Sequence, residues 1–188
     1  EKGSQFIGLA FPVETKEQAE EILSDIKKKF YDATHHCYCY QMLNGQQKYS
    51  DDGEPNGTAG IRILNAIQHF DVTNILVIVI RYYGGVKLGV GPLGKAYYKG
   101  AFGVLENSRI IKKVNYSKMT ITYKFDHTSQ VHHLLTKFNA DITNNLYHEN
   151  PAIEFLIKPA LTEDLRKELI QLTSAQADLK IIEENIFK

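Results

Sequence analysis

Acidic side chains and glycines are concentrated in one short stretch of the sequence, SDDGEPNGTAG at residues 50–60. The carboxylates of Asp51, Asp52 and Glu54 could bind a metal ion, although their spacing does not match an EF-hand calcium loop. They could instead shape the loop, because aspartate bonds nearby backbone N–H groups while glycine adopts positive φ. In that interpretation Thr58 caps the helix that follows. The sequence leaves a loop-shaping role and a binding role both open.

A second glycine-rich stretch, GGVKLGVGPLGK, covers residues 84–95. Gly89 to Lys95 satisfies the G-x-x-x-x-G-K part of a P-loop, but Ala96 stands where that motif needs a hydroxyl group for Mg²⁺. The stretch therefore indicates a turn into a tightly packed helix rather than a nucleotide-hydrolysing loop. Backbone N–H groups at the start of that helix could still hold a phosphate. The basic residues that could supply the counter-charge are Arg81, Lys87, Lys95 and Lys99.

Two histidines and two cysteines lie close together at residues 35–39. Strand alternation puts His35, Cys37 and Cys39 on one face and His36 on the other. Zinc sites usually have wider spacings and a second ligand pair, so we expect no metal ion and no cofactor here. A nucleophilic cysteine beside a histidine is an unspecific alternative. Cysteines two apart on a strand are about 7 Å apart, too far for an ordinary disulfide, which favours a reducing, cytoplasmic location.

Composition restricts the classes of partner. The chain has 188 residues, and its 22 basic and 22 acidic side chains cancel. No strong attraction for polyanions is expected over the whole surface, so a nucleic-acid contact must come from a local patch. The longest apolar run, Ile75 to Ile80, is too short to cross a membrane, and no secretory pattern opens the sequence. We expect a cytoplasmic protein without a membrane partner.

Hydrophobic periodicity predicts the elements of the first part of the chain. Thr15 is a predicted N-cap, and Asn44-Gly45 is a predicted hairpin turn. A helix starting near Pro92 carries a stripe of small residues that would let it lie close to a sheet. Strands are predicted over residues 4–13, 34–43, 47–49 and 73–83, and helices over 15–30 and 58–70.

The last part of the chain has a β-α-β-β-α-β order, which is the ferredoxin-like arrangement. Its strands are predicted over residues 116–125, 140–148, 152–158 and 179–184. A helix beginning near Thr162 should turn Leu165, Leu169 and Leu172 inward. We therefore predict an α+β protein with two domains, residues 1–113 and 114–188.

Tyrosines are frequent in the predicted sheet and could stack on bases, but we expect them to pack against the sheet. The six are Tyr38, Tyr40, Tyr82, Tyr83, Tyr97 and Tyr98.

Four segments together resemble the IMPACT family, in its bacterial YigZ-like branch: ATHHCYCYQM, SDDGEPNGTAG, ILNAI and VIVIRYYGGVKLGVGPLGKAY. The resemblance covers nearly the whole chain. It implies an N-terminal domain like domain 2 of ribosomal protein S5 and a ferredoxin-like C-terminal domain similar to the last domain of elongation factor G. It implies no settled catalytic residue. The positions carried over by motif are Asp51, Asp52, Glu54, Gly57, Thr58, Arg81, Gly84, Gly85, Lys87 and Gly89.

One segment departs from the family pattern. The usual GAGGLVRAY is GVGPLGKAY here, so that Lys95 replaces an arginine and Pro92 replaces a glycine. The positive charge is kept, but the planar guanidinium that binds two oxygens at once is lost.

The sequence and the resemblance favour a non-catalytic protein linked to translation or its regulation. It would bind RNA, the ribosome or a translation-associated protein through the two glycine-rich loops, held at one edge of the first sheet. The resemblance implies that eukaryotic relatives restrain a stress kinase by competing for its activator. The alternatives are an enzyme acting on a phosphorylated small molecule or peptide, and a protein-interaction module that uses the acidic loop.

Overall fold

The structure is a computed structural model that describes residues 1–147 and 149–188, and the chain forms two compact units, Glu1–Ile110 and Ile111–Lys188. Each unit contains helices and one four-stranded sheet in which all neighbouring strands are antiparallel. The molecule is therefore α+β, as the sequence predicts. Among the described residues, no helix is both long and apolar enough to span a bilayer.

The first unit has four strands and three helices, and its sheet has the order β1-β4-β2-β3. The elements are β1 (Gln5–Pro12), α1 (Lys16–Lys29), β2 (His35–Gln41), β3 (Gln47–Ser50), α2 (Gly60–His69), β4 (Ile75–Tyr82) and α3 (Val90–Glu106).

Strand β4 is buried on both faces, which explains its unbroken apolar sequence. Leu76, Ile78 and Ile80 point to the face covered by α1. Val77 and Val79 point to the opposite face, which α2 and α3 cover. The sheet of this unit is thus a middle layer between helices.

Small residues bring α3 close to the sheet. A Cβ atom at Gly8 of β1 would lie 2.2 Å from the carbonyl oxygen of Gly100, and one at Gly100 would lie 3.0 Å from Val79. A Cβ atom at Gly8 would clash with the backbone of α3, and one at Gly100 would push against the Val79 side chain. The small-residue stripe therefore has the packing role that its sequence indicates.

The helix starts test two capping predictions. Thr15 caps α1 as predicted, because its hydroxyl accepts a bond from the backbone N–H of Gln18 at 3.2 Å. The prediction for Thr58 is wrong: its hydroxyl donates to the carbonyl oxygen of Pro55 at 2.6 Å. The loop folds back on itself, and the carboxylate of Asp51, from the start of the loop, caps the N-terminus of α2 instead.

The second unit has the order β-α-β-β-α-β along the chain and the strand order β6-β7-β5-β8 in its sheet. Its elements are β5 (Asn115–Thr122), α4 (Thr128–Lys137), β6 (Asp141–Tyr147), β7 (Pro151–Ile157), α5 (Thr162–Thr173) and β8 (Asp178–Phe187). The predicted strand over residues 140–148 corresponds to β6, and its last position lies outside the described residues.

One inward position of α5 was predicted wrongly. Leu165 and Leu169 are buried as expected, but Leu172 is 40% exposed. The buried position of the last turn is Thr173, whose hydroxyl donates to the carbonyl oxygen of Leu169 at 2.7 Å. A threonine can be buried there because this bond within the helix satisfies its polar atom.

Candidate functional site

The carboxylate of Asp51 holds the start of helix α2. Its Oδ1 accepts bonds from the backbone N–H groups of Ala59 and Gly60 at 2.9 and 2.8 Å, and its Oδ2 accepts from Gly57 at 2.9 Å. Gly57 has φ = +76°, which lets the chain turn back toward Asp51. The negative charge at the helix N-terminus is favourable. Asp51 therefore shapes the loop with the same atoms that a ligand would need.

Asp52 ties the acidic loop to α1 and to the start of β2. Its Oδ1 accepts a bond from the Lys27 ammonium at 2.9 Å, and its Oδ2 accepts from the backbone N–H of His36 at 2.7 Å. The ring Nδ1 of His35 donates to the Asp52 carbonyl oxygen at 2.8 Å. Partial burial opposes the charge on Asp52, but the bonds from Lys27 and His36 outweigh it and lower the pKa of Asp52 below its ordinary value of 3.8.

Glu54 forms a buried ion pair with the end of β4. Its Oε1 accepts a bond from Nη1 of Arg81 at 2.6 Å and another from the Tyr97 hydroxyl at 2.8 Å. The side chains of Glu54 and Arg81 are only 4% and 6% exposed. Nε2 of His35 lies 3.8 Å from the same oxygen. Glu54 thus joins the acidic loop to β4 and α3 through one carboxylate oxygen.

Arg81 lies inside the protein rather than on the predicted binding surface. Its guanidinium carbon is 5.5 Å from the ring centre of Phe6 and 5.3 Å from that of Tyr83. Its Nη2 donates to the Ser4 hydroxyl at 3.2 Å, and that hydroxyl also accepts from the Gly84 N–H at 3.1 Å. The sequence placed Arg81 at a strand end but could not show which carboxylate would reach it. Arg81 cannot contact a phosphate in this arrangement.

Glycines fix the backbone of the second loop, residues 83–91. Gly84 packs against Gly3, and a Cβ atom at Gly84 would lie 2.0 Å from the carbonyl carbon of Gly3. Gly85 and Gly89 have φ = +82° and +81°, where other L-residues are strained. These glycines are therefore required by the path of the chain itself, whatever the loop binds.

The other predicted cationic residues are exposed, and we call them the basic loop surface: Lys87, Lys95 and Lys99. Within residues 1–147 and 149–188, none of the three forms an ion pair with a carboxylate. Lys95 lies about one helical turn before Lys99, so both project from the same side of α3.

Both loops lie at the same end of the two central strands, β2 and β4, of the first sheet. His35 at the start of β2 pairs in register with Arg81 at the end of β4. The acidic loop is bonded to His35 and His36, and the glycine loop follows β4 directly. The structure therefore brings the two stretches together, with the acidic one turned inward and the lysines turned outward.

The two cysteines are structural. Both are fully buried, and burial raises the pKa of Cys37 and of Cys39 to about 12. The Cys37 thiol donates to the carbonyl oxygen of Asp51 at 3.0 Å. A thiol that stays protonated is a poor nucleophile. Across the described part of the chain, no three histidine, cysteine, aspartate or glutamate side chains cluster in a way that could hold a metal ion.

Sequence reasoning missed several members of this site. Lys27 lies within the predicted helix over residues 15–30 and Ser4 at the start of the predicted strand over 4–13, and neither is a predicted site residue. Tyr97 is expected from the sequence only to pack against the sheet. Its hydroxyl donates to Glu54, and burial together with Cys37 and Glu54 raises the pKa of Tyr97 well above 10. The sequence did offer one indication of this contact: a tyrosine predicted to be buried has a hydroxyl that usually needs a hydrogen-bond partner.

The comparisons with known proteins cover both units. The family model "Impact N-terminal domain" matches residues 2–105. The IMPACT family member YvyE of Bacillus subtilis is 29% identical over 94% of this chain and 82% of its own length. The IMPACT family member YigZ of Escherichia coli is 28% identical over 97% of this chain and 92% of its own length.

One solved structure, described as the crystal structure of a hypothetical protein, superposes with a TM-score of 0.64 at 28% identity. It covers 97% of this chain, and this chain covers 91% of it. The match therefore extends beyond the N-terminal region that the family model describes. Together with the matched model, these similarities show that the chain belongs to the IMPACT family.

Proposed function

We propose that this chain acts in translation or its regulation by binding RNA, free or within the ribosome, through the basic loop surface. The family resemblance supports the link to translation. The strand order β6-β7-β5-β8 of the second unit supports a ferredoxin-like domain over residues 114–188. We assign residues 1–113 to a domain like domain 2 of ribosomal protein S5. The free, buried cysteines are consistent with a cytoplasmic location.

The observation that carries the proposal is that the carboxylates of the acidic loop have partners within the protein, whereas the lysines of the basic loop surface form no ion pair among the described residues. The three carboxylates there accept bonds from the protein's own donors. The three lysines of the basic loop surface are exposed: Lys87 lies on the loop whose backbone is fixed by glycines, and Lys95 and Lys99 lie on α3, which follows it. Unpaired ammonium groups on a loop and helix of fixed backbone favour phosphate contacts, which dominate the affinity of nucleic-acid binding.

A salt titration with a labelled single-stranded RNA oligonucleotide tests this proposal. Contacts with three phosphates predict a log–log slope of affinity against salt of about −2. Replacing Lys87, Lys95 and Lys99 together by alanine should remove most of that slope and weaken binding at low salt by about tenfold or more. Fluorescence anisotropy of the labelled RNA measures both quantities.

The matched control changes the same net charge on helix α1, which lies on the other face of the sheet. Its substitutions are Lys16→Ala, Lys28→Ala and Lys29→Ala. This control should keep the slope and the affinity. Equal loss in both triple variants, or a flat salt response of the unaltered protein, would contradict binding at the basic loop surface.

The geometry favours RNA binding over the two alternatives. An enzyme that used the acidic loop for acid–base catalysis would need a carboxylate free to exchange a proton with substrate, but Glu54 already accepts bonds from Arg81 and Tyr97. An interaction module that uses the acidic loop would need exposed charge, but Asp51 and Asp52 are bonded to the start of α2 and to β2. Reversing their charge would therefore disturb the fold as well as any partner.

A further inference from the structure

Tyr83 is an exposed aromatic residue at the first position of the glycine loop. Its side chain is 45% exposed, although sequence reasoning expected it to pack against the sheet. Its backbone N–H donates to the Thr34 hydroxyl at 3.1 Å, which fixes its position at the end of β4. The ring lies over the guanidinium of Arg81, whose carbon is 5.3 Å from the ring centre. One face of the ring is thus supported by Arg81, and the 45% exposure leaves a large part of the side chain open to solvent.

The other tyrosines that could have stacked on bases are less exposed than Tyr83. Tyr38, Tyr40 and Tyr97 are buried. The hydroxyl of Tyr82 donates to Asp32, and the ring of Tyr98 packs near Phe102 with centres 5.8 Å apart. Tyr83 is therefore the most exposed of the six tyrosines.

The support beneath the Tyr83 ring is rigid. Arg81 is held by Glu54 on one side and by Ser4 on the other. A cation under the face of an aromatic ring is attracted to it, so Arg81 holds the Tyr83 ring in place from one side. The next residues are Gly84 and Gly85, and a Cβ atom at Gly85 would meet open space. No side chain of these two positions shields the ring from a flat ligand.

We propose that Tyr83 stacks on an unpaired base of an RNA strand whose phosphates contact the basic loop surface. This inference rests on the proposed function and specifies its ligand as single-stranded RNA. Tyr83 and Lys87 are four residues apart, which limits their Cα separation to about 14 Å. Within that limit, a ring and an ammonium group can contact a base and a nearby phosphate of the same strand. In a duplex the base faces are already stacked on each other, so this contact is lost.

A single-tryptophan reporter tests the stacking directly, because the chain contains no tryptophan. The fluorescence of the Tyr83→Trp protein should be quenched by a ten-nucleotide single-stranded RNA of mixed sequence. The blunt duplex of the same sequence should leave it unquenched. The matched reporter is Tyr31→Trp, at a tyrosine that is 84% exposed outside the loop, and neither RNA should quench it.

Affinity measurements on the same RNAs complete the test. Stacking contributes about 1–3 kcal/mol per base, which corresponds to about 5- to 150-fold in affinity. Tyr83→Leu keeps an apolar cover over Arg81 but removes the flat ring, and it should weaken single-strand binding by fivefold or more. Tyr83→Phe should retain binding. Duplex affinity should be the same for all three proteins, and Tyr31→Leu should change neither affinity.

The outcomes separate this inference from the proposed function. Lysine-dependent RNA binding without quenching of Tyr83→Trp, or with an unchanged affinity of Tyr83→Leu, overturns the stacking site alone. Equal quenching by the single strand and the duplex overturns the selectivity. If neither RNA binds the unaltered protein, the proposed function and this inference both fail.

Discussion

The acidic loop, residues 50–60, and the basic loop surface use their charges in opposite ways. The acidic loop lies beside the glycine loop, residues 83–91, where β2 begins and β4 ends. Asp51, Asp52 and Glu54 point into the protein and accept bonds from backbone and side-chain donors. The lysines of the basic loop surface point outward. A cluster of charge in a sequence therefore does not by itself indicate a binding surface.

The difference follows from the chemistry of the two kinds of side chain. A short carboxylate accepts bonds from the N–H groups that a helix start leaves unpaired, so an aspartate folded back on its own loop is stabilised there. A lysine has donors only, on a long flexible stem that reaches water easily. The acidic loop should consequently govern stability, and the basic loop surface should govern binding. Each prediction below could break or sharpen that contrast.

The largest effect is expected for Glu54→Ala. This substitution leaves the Arg81 guanidinium buried without its carboxylate, and breaking a buried pair in this way typically costs about 3–5 kcal/mol. The free energy of unfolding, measured by urea denaturation of the full chain, should fall by that amount.

Glu20→Ala is the matched control for Glu54→Ala. Glu20 lies 3.7 Å from each of two cations, Lys16 and Lys48, but its side chain is 48% exposed. Exposed pairs contribute little, so the free energy of unfolding should change by less than about 1 kcal/mol. Similar losses in the two variants would show that the burial of Glu54 is not what gives the acidic loop its stabilising role.

Asp51→Ala should have the next largest effect. It leaves the N–H groups of Ala59 and Gly60 at the start of α2, and that of Gly57 in the loop, without their acceptor. We expect a loss of about 2 kcal/mol in the free energy of unfolding. Asp51→Asn keeps one acceptor oxygen and should lose about half as much. Amide hydrogen exchange in α2 should rise in the same order, whereas the exposed control Asp25→Ala should leave it unchanged. Faster exchange spread evenly over the chain would speak against a local capping role.

The elements of the fold could be predicted because their signals are local. Thr15 lies directly before an amphipathic run, and the capping bond that the sequence indicates is formed. The start of α2 is different, because its cap comes from Asp51, eight residues before Ala59. Thr58 stood at the expected place, but nothing local could show that a more distant carboxylate would reach the same N–H groups. Local patterns locate a helix start more reliably than they identify its partner.

The candidate site was only partly predictable for the same reason. Both glycine-rich stretches were recognised from composition, and their meeting follows from the antiparallel pairing of β2 and β4. The ion pair of Glu54 with Arg81 links residues 27 positions apart, and it decides which charges remain available. Arg81 and Lys87 are both basic residues in the same part of the sequence, yet Arg81 is buried and Lys87 is exposed. That distinction depends on tertiary distances that a single sequence does not contain.

A smaller, pH-dependent effect is expected for Asp52→Asn. Because the folded protein lowers the pKa of Asp52 below 3.8, the charged form stabilises the fold above the unfolded pKa, and this contribution is lost as pH falls through the folded pKa. The pair with Lys27 is partly exposed, so the variant should lose about 1 kcal/mol or less at neutral pH. Urea midpoints of the two proteins should converge at strongly acidic pH. A difference that persists there would assign the effect of Asp52 to shape rather than to charge.

The smallest effect on stability is expected where the effect on RNA binding is largest. The triple alanine variant at Lys87, Lys95 and Lys99 removes side chains that form no ion pair within the described residues. Substitutions of this kind usually change the free energy of unfolding by no more than about 0.5 kcal/mol, so the urea midpoint should stay close to that of the unaltered protein. A loss comparable to that of Asp51→Ala would mean that these lysines also hold the loop in place. Weakened RNA binding would then report a damaged fold, and the contrast between an inward acidic loop and an outward basic one would no longer separate stability from binding.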